Sequence, residues 1–165
     1  SGHHRAFEAL GPDDLGHMRS PDNTVAWSDH LNVEFRSGFK LLLDHGADPD
    51  AKDRWDWSLL HYACDNVDLT KFLLARGANP NVRTVGGRTP LHFVADGGNK
   101  AVTQLLLGRG ADVNAKDSDG HTPLSYAEDV DNDMWGKPRK TPLTPEAKAA
   151  KQEVARILRE HGAKE

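Results

Sequence analysis

The stretches RTPLHFVADGG (88–98) and LLLGRGADVNAKD (105–117) follow one another in this chain, and both recur elsewhere in it. The first has counterparts in WSLLHYACDN (57–66) and HTPLSYAEDV (121–130). The second has counterparts in LLLDHGADPDAKD (41–53), FLLARGANPNVRT (72–84) and, in shortened form, ILREHGA (157–163). The glycines of this second stretch, Gly46, Gly77 and Gly110, are 31 and 33 residues apart. This period predicts tandem copies of one small supersecondary unit.

Each copy has the features of two short helices and a polar turn. Thr89 suits the N-cap of the first helix and Pro90 its first helical position. Apolar residues then recur at helical spacing in both helices, as Leu91, Val94 and Ala95 and as Val102, Leu105 and Leu106. Gly110 is placed to end the second helix in the left-handed conformation. Neither helix is long enough to be stable alone, so we expect the copies to stack.

The combination of Thr-Pro-Leu-His, Leu-Leu-Leu and Gly-Ala-Asp-Val-Asn-Ala resembles the ankyrin repeat. The resemblance runs from about Leu41 to Asp129 and resumes at about Glu153. It implies an all-α ankyrin-repeat solenoid of stacked helix-turn-helix units with hairpin loops. We expect about three full repeats, with a degenerate N-terminal cap and an insertion in the last repeat.

The domain organisation follows from where the copies begin. We expect a degenerate capping repeat at 24–52, full repeats at 53–83 and 84–116, and a C-terminal repeat at 117–165 with an insertion at about 129–144. Residues 1–23 form an N-terminal extension, which is either a short packed helix or a disordered or cloning-derived tail.

Two departures from the repeat pattern have structural consequences. Asp56 stands where the other copies have Gly87 and Gly120, and aspartate tolerates positive φ better than most residues. The first full repeat is two residues short between Ala63 and Leu69, which predicts a tight turn or a shortened first helix.

Composition excludes several classes of function. The 165 residues carry a formal charge of −4, which gives no basic field for nucleic acid or an anionic membrane. The longest purely apolar run, FLLA (72–75), is four residues, so we expect no membrane-spanning segment. Cys64 is the only cysteine and no secretory signal is visible, which favours an intracellular, cytoplasmic location. A nuclear location or secretion as an effector stays open.

The sequence contains no convincing motif for catalysis, cofactor binding or metal binding. DVDND (129–133) alternates acids as a calcium loop does, but Met134 and Lys140 stand where glycine and glutamate belong. Cys64 occupies a small-residue position of a packed helix, where an inert buried thiol is the expected state. We therefore predict no catalytic residue, no cofactor and no metal.

The resemblance assigns roles to two further pairs of residues. His61 and His92 occupy the Leu-His position, whose imidazole in this family ties neighbouring hairpin loops together by hydrogen bonds. Asn81 and Asn114 occupy the asparagine position that an intracellular dioxygenase hydroxylates in some ankyrin families. The alternative for these asparagines is that they only stabilise their own turn.

Aromatic residues indicate a binding surface. Tyr62, Phe93 and Tyr126 follow the histidine position in successive repeats and are expected to form an exposed ladder on the concave face, beside Trp55 and Trp57 at a hairpin tip. In the alternative, one or both tryptophans fold over the N-terminal cap or pack against the shortened helix turn. The predicted partner-binding residues are Arg54, Trp55, Trp57, Tyr62, Asp65, Val85, Arg88, Phe93, Asp96, Ser118, Asp119, His121, Tyr126 and Asp129.

The leading hypothesis is a non-enzymatic, monomeric protein-interaction module. Its partner would be a protein or peptide with apolar and some basic side chains, not a nucleic acid or a membrane. The alternative is an enzyme or small-molecule-binding variant, in which Asp131, Asp133, Trp135 and the basic GKPRK (136–140) fold back to wall off a pocket.

Overall fold

The computed structural model describes residues 40–41, 43–53 and 55–164. From residue 55 to residue 164 six helices follow one another: α1 (Leu59–Tyr62), α2 (Val67–Ala75), α3 (Pro90–Gly97), α4 (Lys100–Leu107), α5 (Pro123–Glu128) and α6 (Pro145–Glu160). The same ranges contain isolated antiparallel bridges, Lys52 with Ser58 and Asn132 with Pro138, but no strand. This confirms the predicted helical solenoid.

Several predictions lie outside the described residues. These are the N-terminal extension at 1–23, most of the capping repeat at 24–52, and Arg54. Of the capping repeat, Lys40, Leu41, Leu43 and Asp44 are helical, and Leu43 is buried.

The helices begin where the sequence supplies caps. The side chains of Asn66, Asn99 and Thr144 accept hydrogen bonds from backbone N–H groups three residues on, at 3.0, 3.1 and 3.2 Å. Prolines open α3, α5 and α6, where the missing N–H costs no hydrogen bond. These contacts explain why short segments of modest helix propensity start at fixed positions.

The irregular first repeat has the form that its length predicts. Helix α1 has four residues and the equivalent α3 has eight, so this repeat has the shortened first helix and not a tight turn. Asp56 has a φ of 60°, close to the 73° of Gly87 and 85° of Gly120. The aspartate therefore adopts the left-handed turn that glycine provides in the other hairpin tips.

Leucines at equivalent places form a continuous core through the stack. One leucine from each of α1 to α6 is at most 1% exposed: Leu60, Leu73, Leu91, Leu106, Leu124 and Leu158. Burying one such side chain stabilises the fold by about 1.5–3 kcal/mol. Because each leucine packs against neighbouring repeats, no single repeat could bury its apolar face alone.

Two histidines join consecutive hairpins, as the resemblance implied. The Nδ1 atoms of His61 and His92 accept hydrogen bonds from the N–H groups of Ser58 and Thr89, at 3.1 and 3.0 Å. Each Nε2 therefore carries the proton and donates it to a carbonyl of the next hairpin, Arg88 or His121, at 3.2 Å in both cases. The third repeat has Ser125 at this position, and its hydroxyl bonds only within its own helix cap.

Asparagines join the repeats at their outer turns. Asn81 accepts the N–H of Asp112 at 2.7 Å and donates to the carbonyl of Gly110 at 2.9 Å. Asn114 does the same with Lys164 and Gly162, at 2.8 and 3.1 Å. The interpretation that these side chains only stabilise their own turns is wrong, because they form hydrogen bonds with the backbone of the following repeat. Their hydroxylation stays a prediction.

In the described part of the chain, no helix combines the length and apolar character needed to cross a membrane.

Candidate functional site: two clefts beside the insertion

The insertion contains an additional hairpin tip. Asp133 Oδ1 accepts the N–H groups of Trp135 and Lys137, both at 2.9 Å, and Gly136 has a φ of 70°. Asp53 Oδ1 accepts the N–H groups of Trp55 and Trp57 in the same way, at 2.8 and 2.9 Å. Sequence reasoning missed this copy, although DMWGKP (133–138) and DRWDWS (53–58) share the Asp-x-Trp spacing.

This hairpin tip folds back onto the inner helices of the repeats. Arg139 Nη2 donates to Asp96 Oδ1 at 2.6 Å, and the Trp135 ring meets the Phe93 ring edge to face at 6.4 Å. The Arg88 guanidinium lies 5.0 Å from the centre of the Trp135 ring. The segment 129–144, which lies between α5 and α6, therefore covers part of the concave face.

The expected exposed ladder of Tyr62, Phe93 and Tyr126 is wrong. Phe93 is 9% exposed because Trp57, at 4.7 Å between ring centres, and Trp135 cover it. Tyr126 is 8% exposed, and Tyr62 is half-buried beside Trp57. The chain's own hairpin tips and insertion thus fill the space that sequence reasoning left to a partner. Trp57 is half-buried, as the alternative allowed, but its described ring contacts are with His61, Tyr62 and Phe93.

Both tyrosines hold a hairpin tip to its own helix. The hydroxyl of Tyr126 donates to Asp117 Oδ2 and that of Tyr62 to Asp53 Oδ2, both at 2.6 Å. Burial alone would raise the pKa of Asp117, but hydrogen bonds from Tyr126 and from backbone N–H groups outweigh it and hold that pKa below its usual range. These two tyrosines therefore have a structural role beside the site.

The acidic residues near Asp117 do not form a convincing metal site. Asp117, Asp119 and His121 could bring ligand atoms within 4.8 Å of one another. The Asp117 carboxylate, however, already accepts hydrogen bonds from Tyr126, Arg88 and the N–H groups of Asp119 and His121. Hydrogen bonds therefore already occupy both oxygens of this carboxylate, which argues against its use as a metal ligand.

Three exposed apolar side chains meet in one open groove on the hairpin side. Trp55, Val85 and Trp135 are 43%, 72% and 39% exposed, and all three line a groove of about 370 Å³. Trp57 and Phe93 form its inner wall. We call this the hairpin groove.

A second cleft, of about 440 Å³, lies on the helix side of the same wall. We call it the helix cleft. Its apolar walls include Trp57, Phe93, Met134, Trp135 and Leu143, and its charged residues include Asp96, Arg139 and Lys151. Cys64 also lines it and donates to the carbonyls of Leu60 and Pro90, and burial raises the pKa of this thiol. The thiol therefore stays protonated, as an inert cysteine should.

The remaining predicted site residues are divided between several places. Asp65 and Asp96 line the helix cleft, and Arg88 lines the hairpin groove. Ser118, Asp119 and His121 are exposed on the next hairpin tip. Asp129 accepts the N–H groups of Asp131 and Asn132, so it caps a turn of the insertion.

Comparison with known proteins identifies the repeats. Residues 65–134 match the family model for ankyrin repeats (3 copies). Rabankyrin-5 from Homo sapiens and from Mus musculus are each 41% identical to this chain over 68 residues, which is 39% of this chain and 6% of the relative. The 2-5A-dependent ribonuclease of Mus musculus is 44% identical over 52 residues, 30% of this chain and 7% of that protein.

The aligned stretches thus span a small fraction of these relatives, and the similarity concerns their repeats. Ankyrin repeats are generally protein–protein interaction modules, and the family is generally non-enzymatic. The sequence periodicity, the stacked helix pairs and the family match lead to one conclusion: residues 65–134 of this chain consist of ankyrin repeats.

Proposed function

We propose that this chain is a non-enzymatic interaction module that binds a segment of a protein partner in the hairpin groove. One observation carries the proposal. Four large apolar side chains are well exposed in the described part of the chain, and three of them, Trp55, Val85 and Trp135, line this groove. Contiguous exposed apolar surface of this kind usually marks an interaction site.

The chemistry of the groove favours apolar side chains in the partner, with some basic ones. Aromatic rings supply much of the binding energy in protein interfaces. Arg88 is the cation of the groove, but its guanidinium is occupied by Asp117 and the Tyr126 hydroxyl, at 3.4 and 3.0 Å. Asp56 and Asp119 are exposed on the adjoining hairpin tips, where they can attract lysine or arginine.

The groove also departs from the surface expected from sequence. Phe93 lies in its wall and Tyr126 is buried outside it, so the proposed contact surface shifts towards the hairpin tips and Trp135. The monomeric state and the intracellular location remain proposals that accompany this one.

A peptide selection tests the proposal. The full chain is immobilised, a random peptide library is selected on it, and the affinities of enriched peptides are measured by fluorescence polarisation. We expect apolar and basic residues in these peptides, and about tenfold or greater weakening by Val85→Asp, because a charge enters the middle of the interface. Val85 is 72% exposed, so the substitution should leave the fold intact.

Ala101→Asp is the matched control, since Ala101 is exposed on α4 and does not line the groove. It should not change the affinity. Enriched peptides that bind the Val85→Asp variant as well as the wild type would show that the groove is not the binding site.

A further inference from the structure

The helix cleft has buried cations with few acceptors. Lys151 Nζ and Arg139 Nη2 donate to the same atom, Asp96 Oδ1, at 2.8 and 2.6 Å. The Lys151 side chain is 2% exposed and that of Arg139 18%. An ammonium has three N–H donors and a guanidinium five. Arg139 Nε is buried and has no hydrogen-bond acceptor in the described part of the chain.

Three more carboxylates lie in or beside the cleft: Asp65 and Asp133 line it, and Asp129 interacts with Lys151. Burial lowers the pKa of Lys151, whereas Asp96 and Asp129 favour its charged form. Asp129 does not supply the missing acceptors. Its oxygens already accept the N–H groups of Asp131 and Asn132 and the Asn132 side-chain amide. Buried donors in proteins are nearly always paired, so this excess of N–H groups indicates that the cleft suits an additional acceptor.

The walls of the cleft define the rest of the ligand. Trp57 and Phe93 present aromatic surface, and Met134 and Leu143 present aliphatic surface, beside the two cations. A volume of about 440 Å³ lies in the range of small-molecule sites, which are mostly apolar with a few polar groups that fix orientation. A ligand matching both features has a carboxylate at one end and a compact apolar group at the other.

We propose that the helix cleft binds a carboxylate carried on an aromatic or branched aliphatic group. The carboxylate would bind Lys151 and Arg139, and the apolar group would pack against Trp57 and Phe93. The acid is either a free small molecule or the C-terminus of a peptide that ends in a bulky apolar residue. The site is separate from the hairpin groove and does not depend on the function proposed there.

Titration of the full chain with indole-3-propionate and with its primary amide tests the charge requirement. Calorimetry gives the affinities independently of the fluorescence of Trp57 and Trp135. We expect the acid to bind at least about tenfold more tightly than the amide, since hydrogen bonds between two charged groups are stronger than those to a neutral amide. Equal affinities, or no binding of the acid at millimolar concentration, would overturn the proposal.

A second pair of probes separates the sources of the carboxylate. Short peptides ending in tryptophan are compared with the same peptides amidated at the C-terminus. Tighter binding of the free-acid peptide than of indole-3-propionate assigns the cleft to a chain terminus, and the reverse order assigns it to a small acid.

Variants test the two cations. Arg139→Gln and Lys151→Met should each weaken binding of indole-3-propionate about tenfold or more, whereas Lys140→Met, at an exposed lysine of the insertion, should not. Asp96→Asn should strengthen it, because the competing carboxylate is removed. Thermal unfolding monitors the fold of each variant. If Lys151→Met does not fold, the proposal is tested by Arg139→Gln and by the comparison of the acid with the amide. An unchanged affinity of Arg139→Gln for indole-3-propionate would contradict the proposed site.

Discussion

At the scale of single residues, the imidazoles of His61 and His92 are fixed by hydrogen bonds at both nitrogens. The resemblance to the ankyrin repeat was enough to imply this role, because both histidines occupy its Leu-His position. Burial penalises the imidazolium and lowers the pKa of His61 from 6.5 to about 4. The pKa of His92 is lowered for the same reason.

The lowered pKa makes stability depend on pH. Below about pH 6.5 the unfolded chain takes up a proton at His61, whereas the folded chain does so only near pH 4. Stability contributed by the neutral imidazole is therefore present above pH 6.5 and is lost as the pH falls to 4, by about 3 kcal/mol in total. Urea unfolding at a series of pH values should show this slope, and His61→Gln should flatten it.

His121→Gln is the control for this series, because His121 is exposed and its imidazole serves no equivalent bond between hairpins. It should keep the wild-type slope. A slope that is the same in the wild type and in His61→Gln would remove His61 as the cause.

Residue patterns could not predict the burial of Phe93 and Tyr126. Their repeat position does point towards the concave face, but what lies on that face depends on Trp57 and on the insertion. Trp135 is 42 residues from Phe93 along the chain, and an insertion has no counterpart in the repeats from which its path could be read.

At the scale of elements, the helices and loops of the described repeats were largely predictable. Caps, prolines and glycines fix where helices begin and end, and the shortened α1 follows from two missing residues. The hairpin tip at 133–138 was missed because its repeat signal is confined to an aspartate and a tryptophan. Its hydrogen bonds match those of 53–57 all the same.

The close packing of α3 against α6 gives a prediction at this scale. Gly98 ends α3 with a φ of 70°, and a Cβ there would lie 3.1 Å from Ala150 Cβ and from Lys151 N. Gly77 has a φ of 87° with nothing within 4 Å of such a Cβ. Gly77→Ala should cost about 1–2 kcal/mol of unfolding free energy from backbone strain alone. Gly98→Ala should cost about 1–3 kcal/mol more from overpacking.

Chemical denaturation of both variants measures the difference. Equal losses would mean that α6 moves away from Gly98 without cost.

At the scale of the whole molecule, the insertion changes a regular concave surface into two clefts that share one aromatic wall. The wall depends on contacts between distant parts of the chain, chiefly Trp57 with Phe93 and Trp135 with Phe93. Sequence predicted the stack of helical repeats. It could not predict that the insertion and the hairpin tip at 53–57 meet above Phe93.

Loss of the Trp135 ring should release the insertion from the repeats. An aromatic pair contributes about 0.5–1.5 kcal/mol beyond its buried area, so Trp135→Ala should accelerate amide hydrogen exchange of residues 131–139 by about twofold to tenfold. Exchange in α3 should stay near the wild-type rate. Mass spectrometry resolves the two segments. Val85→Ala, in the same groove but on another hairpin, should leave the insertion unchanged, and an unaltered insertion in Trp135→Ala would show that other contacts hold it.

The middle repeat has Thr84 and Phe93 where its neighbours have an aspartate and a tyrosine, so its hairpin tip lacks the hydroxyl–carboxylate tie to its own helix. Adjacent tips hold it instead, since Val85 N donates to the Trp55 carbonyl at 3.3 Å and Ser118 N donates to the Gly86 carbonyl at 3.0 Å. A mechanical load applied at one end of the row of tips would therefore pass through this central link to the other end. We expect the three tips to move together, so that a displacement caused by a partner at Trp55 is transmitted to Ser118.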